Sequence, residues 1–520
     1  MHRTRKRGGM TLTMREAAGQ LLLGNRFLVP VILVAVAVYS FGFAPEAITP
    51  DGSTYMLLGK NMMLGRYPDT FFHRMPMLPL VFALLSSAGL QILFIRFLVP
   101  LAFIILALAS TYLLVRELAG VWHARLATVL LLCFPQFWRW GAKFLVDIPL
   151  LSFSALSLYF MLRGLRDEKY FLHMGAVFSI GVLTKLTFFL VPLAIMIYLL
   201  VTRRKVFLNK RFLAGLLLPC IVFSAAFLAV SLSRSADDFM QISFLVERSV
   251  DDEALTPFTQ LLTGQYSDIL NLAKLAMFPV LIFLPFGVYA FIKRRKGLSL
   301  FYVTFLSLFF FFLSPVRLRL YSPLYPFIML FTAEGLSFLL DGIDSRHARA
   351  AAVASFSVLL LVSFADALFL LSLDFGMNWG INTLSSYTGG LNGMIASEYI
   401  PHYLNITSDV VIDKEWSAGF FRGNGSRSLL QKKCVDYVIL SVYGEFARNP
   451  SEETYHPMLG PFEITFIERP YTGERVPPDF TFGSELYRRL ESDPGYTKIN
   501  EIRNPDGQLV FVIYETGLMA

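Results

Sequence analysis

The sequence predicts an all-α polytopic membrane domain followed by a small α/β domain outside the membrane. Three observations predict it. Of 520 residues, 55% are hydrophobic and only 16% are charged, whereas soluble domains carry roughly 25% charge. Up to about residue 372, apolar runs of membrane length alternate with short charged clusters, as expected of helices crossing a bilayer core roughly 30 Å thick. From residue 373 onward the balance reverses: 12 Lys and Arg stand against 19 Asp and Glu, compared with 34 against 19 in the preceding part. The basic excess therefore flanks membrane segments and gives no support to nucleic acid as a partner. A single apolar soluble core would not be punctuated by charge at that spacing.

The opening "MHRTRKRGG" is basic, but the run from Phe27 to Ala44 is too long for the core of a cleavable signal, and no small-residue cleavage site follows it. It reads as a first transmembrane helix. Lys and Arg in short loops resist translocation and so locate the cytoplasmic side. The clusters are "RTRKR" near the start, 116–125, 163–169, 202–211, 293–296 and 341–349. Placing all of them inside predicts eleven helices, at about 27–44, 97–115, 124–141, 147–162, 170–184, 187–201, 212–232, 271–292, 298–314, 320–340 and 350–372. The run 76–95 is long enough to cross, but crossing would turn every later basic cluster outward, so it reads as a helix along the outer interface. The organisation is then a basic cytoplasmic segment 1–26, a transmembrane domain 27–372 with outer loops 45–96 and 233–270, and an extracytoplasmic domain 373–520.

In the tail, 409–413, 435–442 and 508–515 read as strands, with helices at 426–433 and 484–492 between them. Asn405 and Asn424 open glycosylation sequons. Cys133, Cys220 and Cys434 form neither a disulfide framework nor a zinc spacing. His73 has no second histidine near it and does not read as a metal ligand. The acidic stretch 236–258 reads as a solvated outer loop.

Outer loops normally lack basic residues, so Arg74, Lys143, Lys185, Arg317 and Arg319 are exceptions that suggest an anion at the outer surface. Mid-helix positions read as nearly free of charge, with Asp366 the main exception. A transporter or lipid-linked-sugar flippase would carry charges along its path, and this distribution favours interfacial chemistry over transport.

Several segments resemble the membrane-embedded GT-C glycosyltransferases, in the branch of the protein O-mannosyltransferases and the lipid A aminoarabinose transferase. "PDGSTYMLLGKNMMLGRYP" resembles the first-loop motif, in which an aspartate is followed four residues on by tyrosine, here Asp51 and Tyr55. "HRMPMLPLVFALL" is similar to a motif in which lysine usually stands at the position of Arg74. "KFLVDIPLLSFSALSLYFMLRG" supplies Asp147, "GVLTKLTFFLVPLA" supplies Lys185, and "RLRLYSPLYPFIMLFTAEGL" supplies Arg319, Tyr321 and Pro326. The matches recur in order over residues 27–340. Many relatives carry a second acidic residue after the aspartate. Gly52 stands there instead, which weakens a metal site of paired first-loop carboxylates.

The resemblance implies an inverting transfer of a sugar from a dolichyl or undecaprenyl phosphate donor to a hydroxyl on a lipid, glycan or protein acceptor. Asp51 is the implied general base. Arg74, Lys185, Arg317 and Arg319 are the implied phosphate clamp, with Tyr55, Asp147 and Tyr321 beside the substrates. No cofactor is required by this chemistry, and a divalent cation is left open. The oligosaccharyltransferases are a further branch to weigh, but the nearest string to their WWDYG-type motif, "CVDYVIL", lacks the tryptophans.

Overall fold

The computed structural model describes residues 26–45, 49–65, 75–231, 282–294, 298–300, 302–304, 322–373, 380–391, 393–397, 404, 430–431, 434–441, 485–503, 507 and 509–517. Over these residues the chain is mostly helical, with a small sheet near its carboxyl end.

Helix α1 (Leu28–Gly42) is followed by α2 (Pro50–Met63), α3 (Met77–Ser87) and α4 (Ile92–Ala119). At 28 residues, α4 is long enough to cross a membrane. The 11-residue α3 reaches only about 16 Å at 1.5 Å per residue, short of a bilayer core. It packs on α2 instead. Pro100 lies inside α4 and cannot donate to the carbonyl of Arg96. The Tyr39 hydroxyl of α1 donates to that carbonyl at 3.2 Å, so the kink-forming position is also a tie between helices.

The sequence predicts one helix over 124–141; the structure has two, α5 (Val121–Leu132) and α6 (Pro135–Gly141). Pro135 forces the preceding residue out of the helical region, and Phe134 is extended at φ −83°, ψ 114°. The Trp138 indole N–H donates to the freed Leu132 carbonyl at 2.6 Å across the break.

Helices α7 (Asp147–Gly164) and α8 (Tyr170–Thr184) form an antiparallel pair joined by a short turn. A short 3₁₀ turn, Leu186–Phe189, leads into α9 (Leu190–Thr202), and α10 (Lys210–Ser231) returns against α8. The α8–α10 crossing is close because Gly175 faces Gly215: a Cβ on either would strike the other helix's backbone. Small residues at such crossings let membrane helices approach, where no hydrophobic effect separates lipid from side chain. Gly287 and Gly335 make the same crossing between α11 (Leu284–Arg294) and α12 (Tyr325–Asp341). Helix α13 (Arg346–Leu373) completes the described bundle and meets α1 where Leu371 lies against Gly42.

Among the described residues, four helices are long and apolar enough to cross a membrane: Ile92–Ala119, Lys210–Leu228, Ser322–Asp341 and Arg346–Leu368. Leu33, Phe41, Leu84, Ile221 and Leu361 are exposed on the bundle surface, the arrangement expected where lipid is the solvent. The chain is an integral membrane protein. The predicted helix at 298–314 lies largely outside the described residues, as does the first part of that at 271–292.

After α14 (Ile381–Thr388) come strands β1 (Met394–Ser397) and β2 (Val435–Ser441), helix α15 (Glu485–Ser492), and strands β3 (Thr497–Arg503) and β4 (Leu509–Glu515). The sheet order is β1-β2-β4-β3, with β1 parallel to β2 and the other pairs antiparallel. One face, with Val438, Leu440, Val512 and Tyr514, packs with Leu486 and Leu490 of α15. The other face, with Ile439, Phe511 and Ile513, joins Ile381 and Leu384 of α14 in the core that runs on into the bundle. The Asn382 amide donates to the Pro45 carbonyl at 3.3 Å, and Arg96 donates to the same oxygen at 2.7 Å. The sheet therefore sits at the end of the bundle where α1 stops and α4 starts. The predicted strand 409–413 and most of helix 426–433 lie outside the described residues.

Candidate functional site

Asp51 does not lie in an open turn. "TPDGS" reads as a turn by composition, yet it starts α2: Thr49 is the N-cap, its hydroxyl accepting from the Gly52 N–H at 3.0 Å, and Pro50 takes the first turn. Pro fits there because its missing N–H is one the helix start leaves unused. Asp51 is half-buried in that first turn, where the helix dipole favours its negative form. One turn on, Tyr55 is buried.

This helix start is wedged against the segment between α6 and α7. A Cβ on Gly52 would come within 2.9 Å of the Thr49 hydroxyl and 3.1 Å of the Phe144 carbonyl. Glycine is thus what allows the Asp51 turn and the Lys143–Phe144 turn to touch. Phe144 also packs edge-on against Phe82 of α3, with centroids 6.4 Å apart.

The segment it meets is rich in charge. Lys143 is 6% exposed and Asp147, the first residue of α7, is 2% exposed. Trp140 is flanked by two cations, Arg139 at 5.0 Å and Lys143 at 5.6 Å from its ring centre. The Ser322 hydroxyl donates to the Asp147 carbonyl at 2.7 Å, pinning the start of α12 to the start of α7. Tyr325 then lies close enough to Asp147 and Arg139 to feel both charges. Its ring meets Phe134 edge-on at 4.9 Å, and among the described residues its buried hydroxyl has no hydrogen-bond partner.

Lys185 closes α8 with extended backbone, φ −161° and ψ 136°, and is half-buried. Because α7 and α8 run antiparallel, Asp147 at the start of one and Lys185 at the end of the other share one end of the bundle. Helix α3 touches both α2 and α8. The structure thus gathers Asp51, Tyr55, Lys143, Asp147 and Lys185 at the end covered by the sheet. Arg74, Arg317, Arg319 and Tyr321, like His73, lie outside the described residues.

The other end holds its own charges in pairs. Glu117 bonds Arg166 and lies 3.9 Å from Arg163. Glu334, 2% exposed within α12, lies 3.4 Å from Arg294 and 3.8 Å from His123. The reading of nearly charge-free helix interiors, with Asp366 the main exception, therefore needs correction. Glu334 was hidden in "FTAEGLSF" because its neighbours are apolar and its partners come from two distant helices.

Sequence reasoning placed Lys143 among the outer cations but gave it no role, and it passed over Arg139 and Tyr325. The signal for the first two was "WRWGAKFLVD", where Trp138, Arg139, Trp140, Lys143 and Phe144 crowd two cations and three aromatics just before Asp147.

In fold the chain is similar to solved glycosyltransferases of the GT-C superfamily. Within it the likeness extends to the branch holding the protein O-mannosyltransferases and the aminoarabinose transferase: residues 75–228 match the family model for dolichyl-phosphate-mannose-protein mannosyltransferase. Among solved structures, ArnT from Cupriavidus metallidurans bound to undecaprenyl phosphate is similar at TM-score 0.56 and 17% identity, over 82% of this chain and 95% of that one. The archaeal oligosaccharyltransferase AglB from Archaeoglobus fulgidus, in complex with an inhibitory peptide and a dolichol-phosphate, is similar at TM-score 0.54 and 14% identity, over 82% of this chain and 70% of that one. The arabinofuranosyltransferase AftD from Mycobacteria is similar at TM-score 0.51 and 14% identity, over 95% of this chain and 40% of that one. No curated protein matches the chain in sequence.

Proposed function

We propose that the protein transfers a sugar from a polyprenyl phosphate to a hydroxyl-bearing acceptor, with inversion, at the outer face of the membrane. The observation that carries this reading is the wedge at Gly52. It brings a helix-start carboxylate, Asp51, against a turn holding a buried lysine and a buried aspartate. A lipid-borne donor keeps its phosphate at headgroup depth while the acceptor arrives from outside, so the reacting groups must meet at such a boundary.

In the proposed reaction the acceptor O–H gives its proton to the Asp51 carboxylate as its oxygen attacks the anomeric carbon. The bond from that carbon to the phosphate oxygen breaks on the opposite face, and the lipid phosphate leaves with the bonding electrons. Cations at the same end stabilise that departing charge; Lys185 is the described candidate, joined by Arg74, Arg317 and Arg319 of the sequence motifs. Tyr55, Asp147 and Tyr321 are assigned to orienting the substrates. In this reading these basic side chains compensate the phosphate charge. In this reading the basic loops face the cytoplasm, and the sheet with residues 373–520 lies outside, over the site.

The direct test is incubation of the purified protein with a panel of radiolabelled polyprenyl-phosphate sugars and mixed acceptors. Release of free polyprenyl phosphate with label moving to an acceptor is expected for one donor. Turnover of none, by protein that remains folded, would contradict the reading.

A further inference from the structure

The chain enters the Asp51 helix through a connection that three other helices hold. Helix α1 ends at Gly42, and Leu371 near the end of α13 lies against that glycine. Tyr39 of α1 and Phe43 just beyond it both pack on Phe97 of α4, each with ring centres 5.2 Å apart. Pro45 follows, and its carbonyl accepts from two side chains: the Arg96 guanidinium of α4 at 2.7 Å and the Asn382 amide of α14 at 3.3 Å. Two donors use both lone pairs of a carbonyl oxygen. Arg96 is buried, and burying a guanidinium is costly unless its donors are engaged. Its own carbonyl is held from α1 by the Tyr39 hydroxyl. Asp51 comes six residues after Pro45, and on its other side the Gly52 contact with Phe144 fixes the turn. The start of α2 therefore lies between two grips. One is made within the bundle, and the other is shared between the bundle and the sheet unit.

We infer that Arg96 and Asn382 are positioning residues for Asp51, and that through Asn382 the docking of the sheet unit on the bundle sets the rate of transfer. The inference rests on the transferase reading for the role of Asp51, but the clamp itself is measurable without turnover. The two donors differ in origin. Arg96 belongs to the bundle. Asn382 belongs to α14, whose Ile381 and Leu384 share a core with Ile439, Phe511 and Ile513 of the sheet. A shift of the sheet on the bundle thus removes one donor from the Pro45 carbonyl and leaves the stronger, charge-assisted one in place.

The test uses the full-length protein in nanodiscs. Asn382→Leu keeps the size and branching of the side chain and removes the donor. Asn382→Ala is the second variant if the first does not fold, and Asn382→Gln keeps an amide donor. In the variants without a donor, hydrogen exchange of peptides covering 49–58 should accelerate by about fivefold, with exchange in α8 and α12 at wild-type rates. Single-turnover transfer should slow by about tenfold or more, as expected when a reacting group is displaced. Farnesyl phosphate affinity should stay at the wild-type value, and Asn382→Gln should recover most of the rate. A tie that only stabilises the fold would instead lower the melting temperature and leave transfer per folded molecule unchanged. Wild-type exchange over 49–58 in the folded variants would overturn the inference, and so would faster exchange there with transfer at the wild-type rate. If the wild-type protein turns over no donor, the transferase reading falls, while faster exchange confined to 49–58 still supports the clamp. Transfer by the wild type with exchange unaffected in the variants would do the reverse.

Discussion

The two ends of the helical bundle place charge at different points of their helices. At the end away from the sheet, charged side chains reach across helices and pair: Glu117 with Arg166, Glu334 with Arg294 and His123, and Arg294 again with Asp341 at 3.5 Å. At the end beneath the sheet, Asp51, Lys143, Asp147 and Lys185 sit where helices start or stop, in turns that press against each other. The first arrangement ties helices together. The second concentrates charge of both signs at the end of the bundle where the proposed transfer would take place. A charged residue in a membrane protein is thus not evidence of function by itself; what separates the ends is whether the charge lies along a helix or in a turn where a helix starts or stops.

That contrast makes predictions about stability, from the largest effect down. Gly175→Leu would drive a side chain into the α10 backbone at the Gly215 crossing. Overpacking of this kind costs about 3 kcal/mol or more when backbone must move, and the expected outcome is loss of monodisperse folded protein on size exclusion. Glu334→Ala, at the paired end, removes a buried carboxylate and strands its partners. Breaking a buried pair costs about 3–5 kcal/mol, and because Arg294 is 46% exposed the lower end is expected, with transfer per folded molecule unchanged. A thermal shift and a rate measured on the same sample check both halves.

Gly52→Ala acts at the other end. Its Cβ would crowd the Thr49 hydroxyl and the Phe144 carbonyl, so a cost of about 1–2 kcal/mol is expected, together with reduced transfer because the wedge opens. Equal activity in this variant would separate the wedge from the chemistry. Tyr325→Phe removes a buried hydroxyl that has no partner among the described residues. Stability should stay level or rise by about 1 kcal/mol, which denaturant unfolding in detergent would register.

The smallest effect concerns the sheet. The Tyr514 hydroxyl donates to Glu491 at 2.5 Å, and this bond, aided by Lys498, holds the Glu491 carboxyl below its usual 4.5. Glu501 is lowered in the same way by Arg503 and Lys498. A carboxylate with a depressed folded-state pKa stabilises above its unfolded value, and that contribution is lost as pH falls through the folded one. Unfolding of the sheet region, followed by exchange of β4 amides, should therefore accelerate below about pH 4.5, and Glu491→Gln should flatten the dependence. The groups are largely solvent-facing, so salt should weaken the effect.

Much of the helical frame was legible because hydropathy reports membrane-length runs directly. Tyr170–Thr184 falls at its predicted bounds, and α1, α7 and α10 fall within a few residues of theirs. The break at Pro135 was also written in the sequence, but an apolar run continuing past it outweighed the proline. Helix α2 was missed for the opposite reason. Its residues are too polar and too few to read as a span, and the Thr49–Pro50–Asp51 capping signature passed as a turn. Strand β3, "TKINEIR", is polar along both faces at a sheet edge and gives no alternation to read. The site's assembly was the least legible part. The motifs named Asp51, Asp147 and Lys185 separately, but the contact of Gly52 with Phe144 joins positions far apart in the chain, and periodicity does not report it.

The central claim is that the end beneath the sheet is where sugar is transferred and that Asp51 takes the acceptor proton there. The measurement that tests it most directly compares wild type with Asp51→Asn in single-turnover transfer, with farnesyl phosphate binding measured on the same preparations. The substitution keeps shape and hydrogen-bonding reach while removing proton affinity. The expected result is transfer slower by about 10²- to 10⁴-fold, the usual contribution of a general base, with prenyl phosphate affinity and thermal stability close to wild type. Transfer at the wild-type rate by folded Asp51→Asn would contradict it and move the base to another residue.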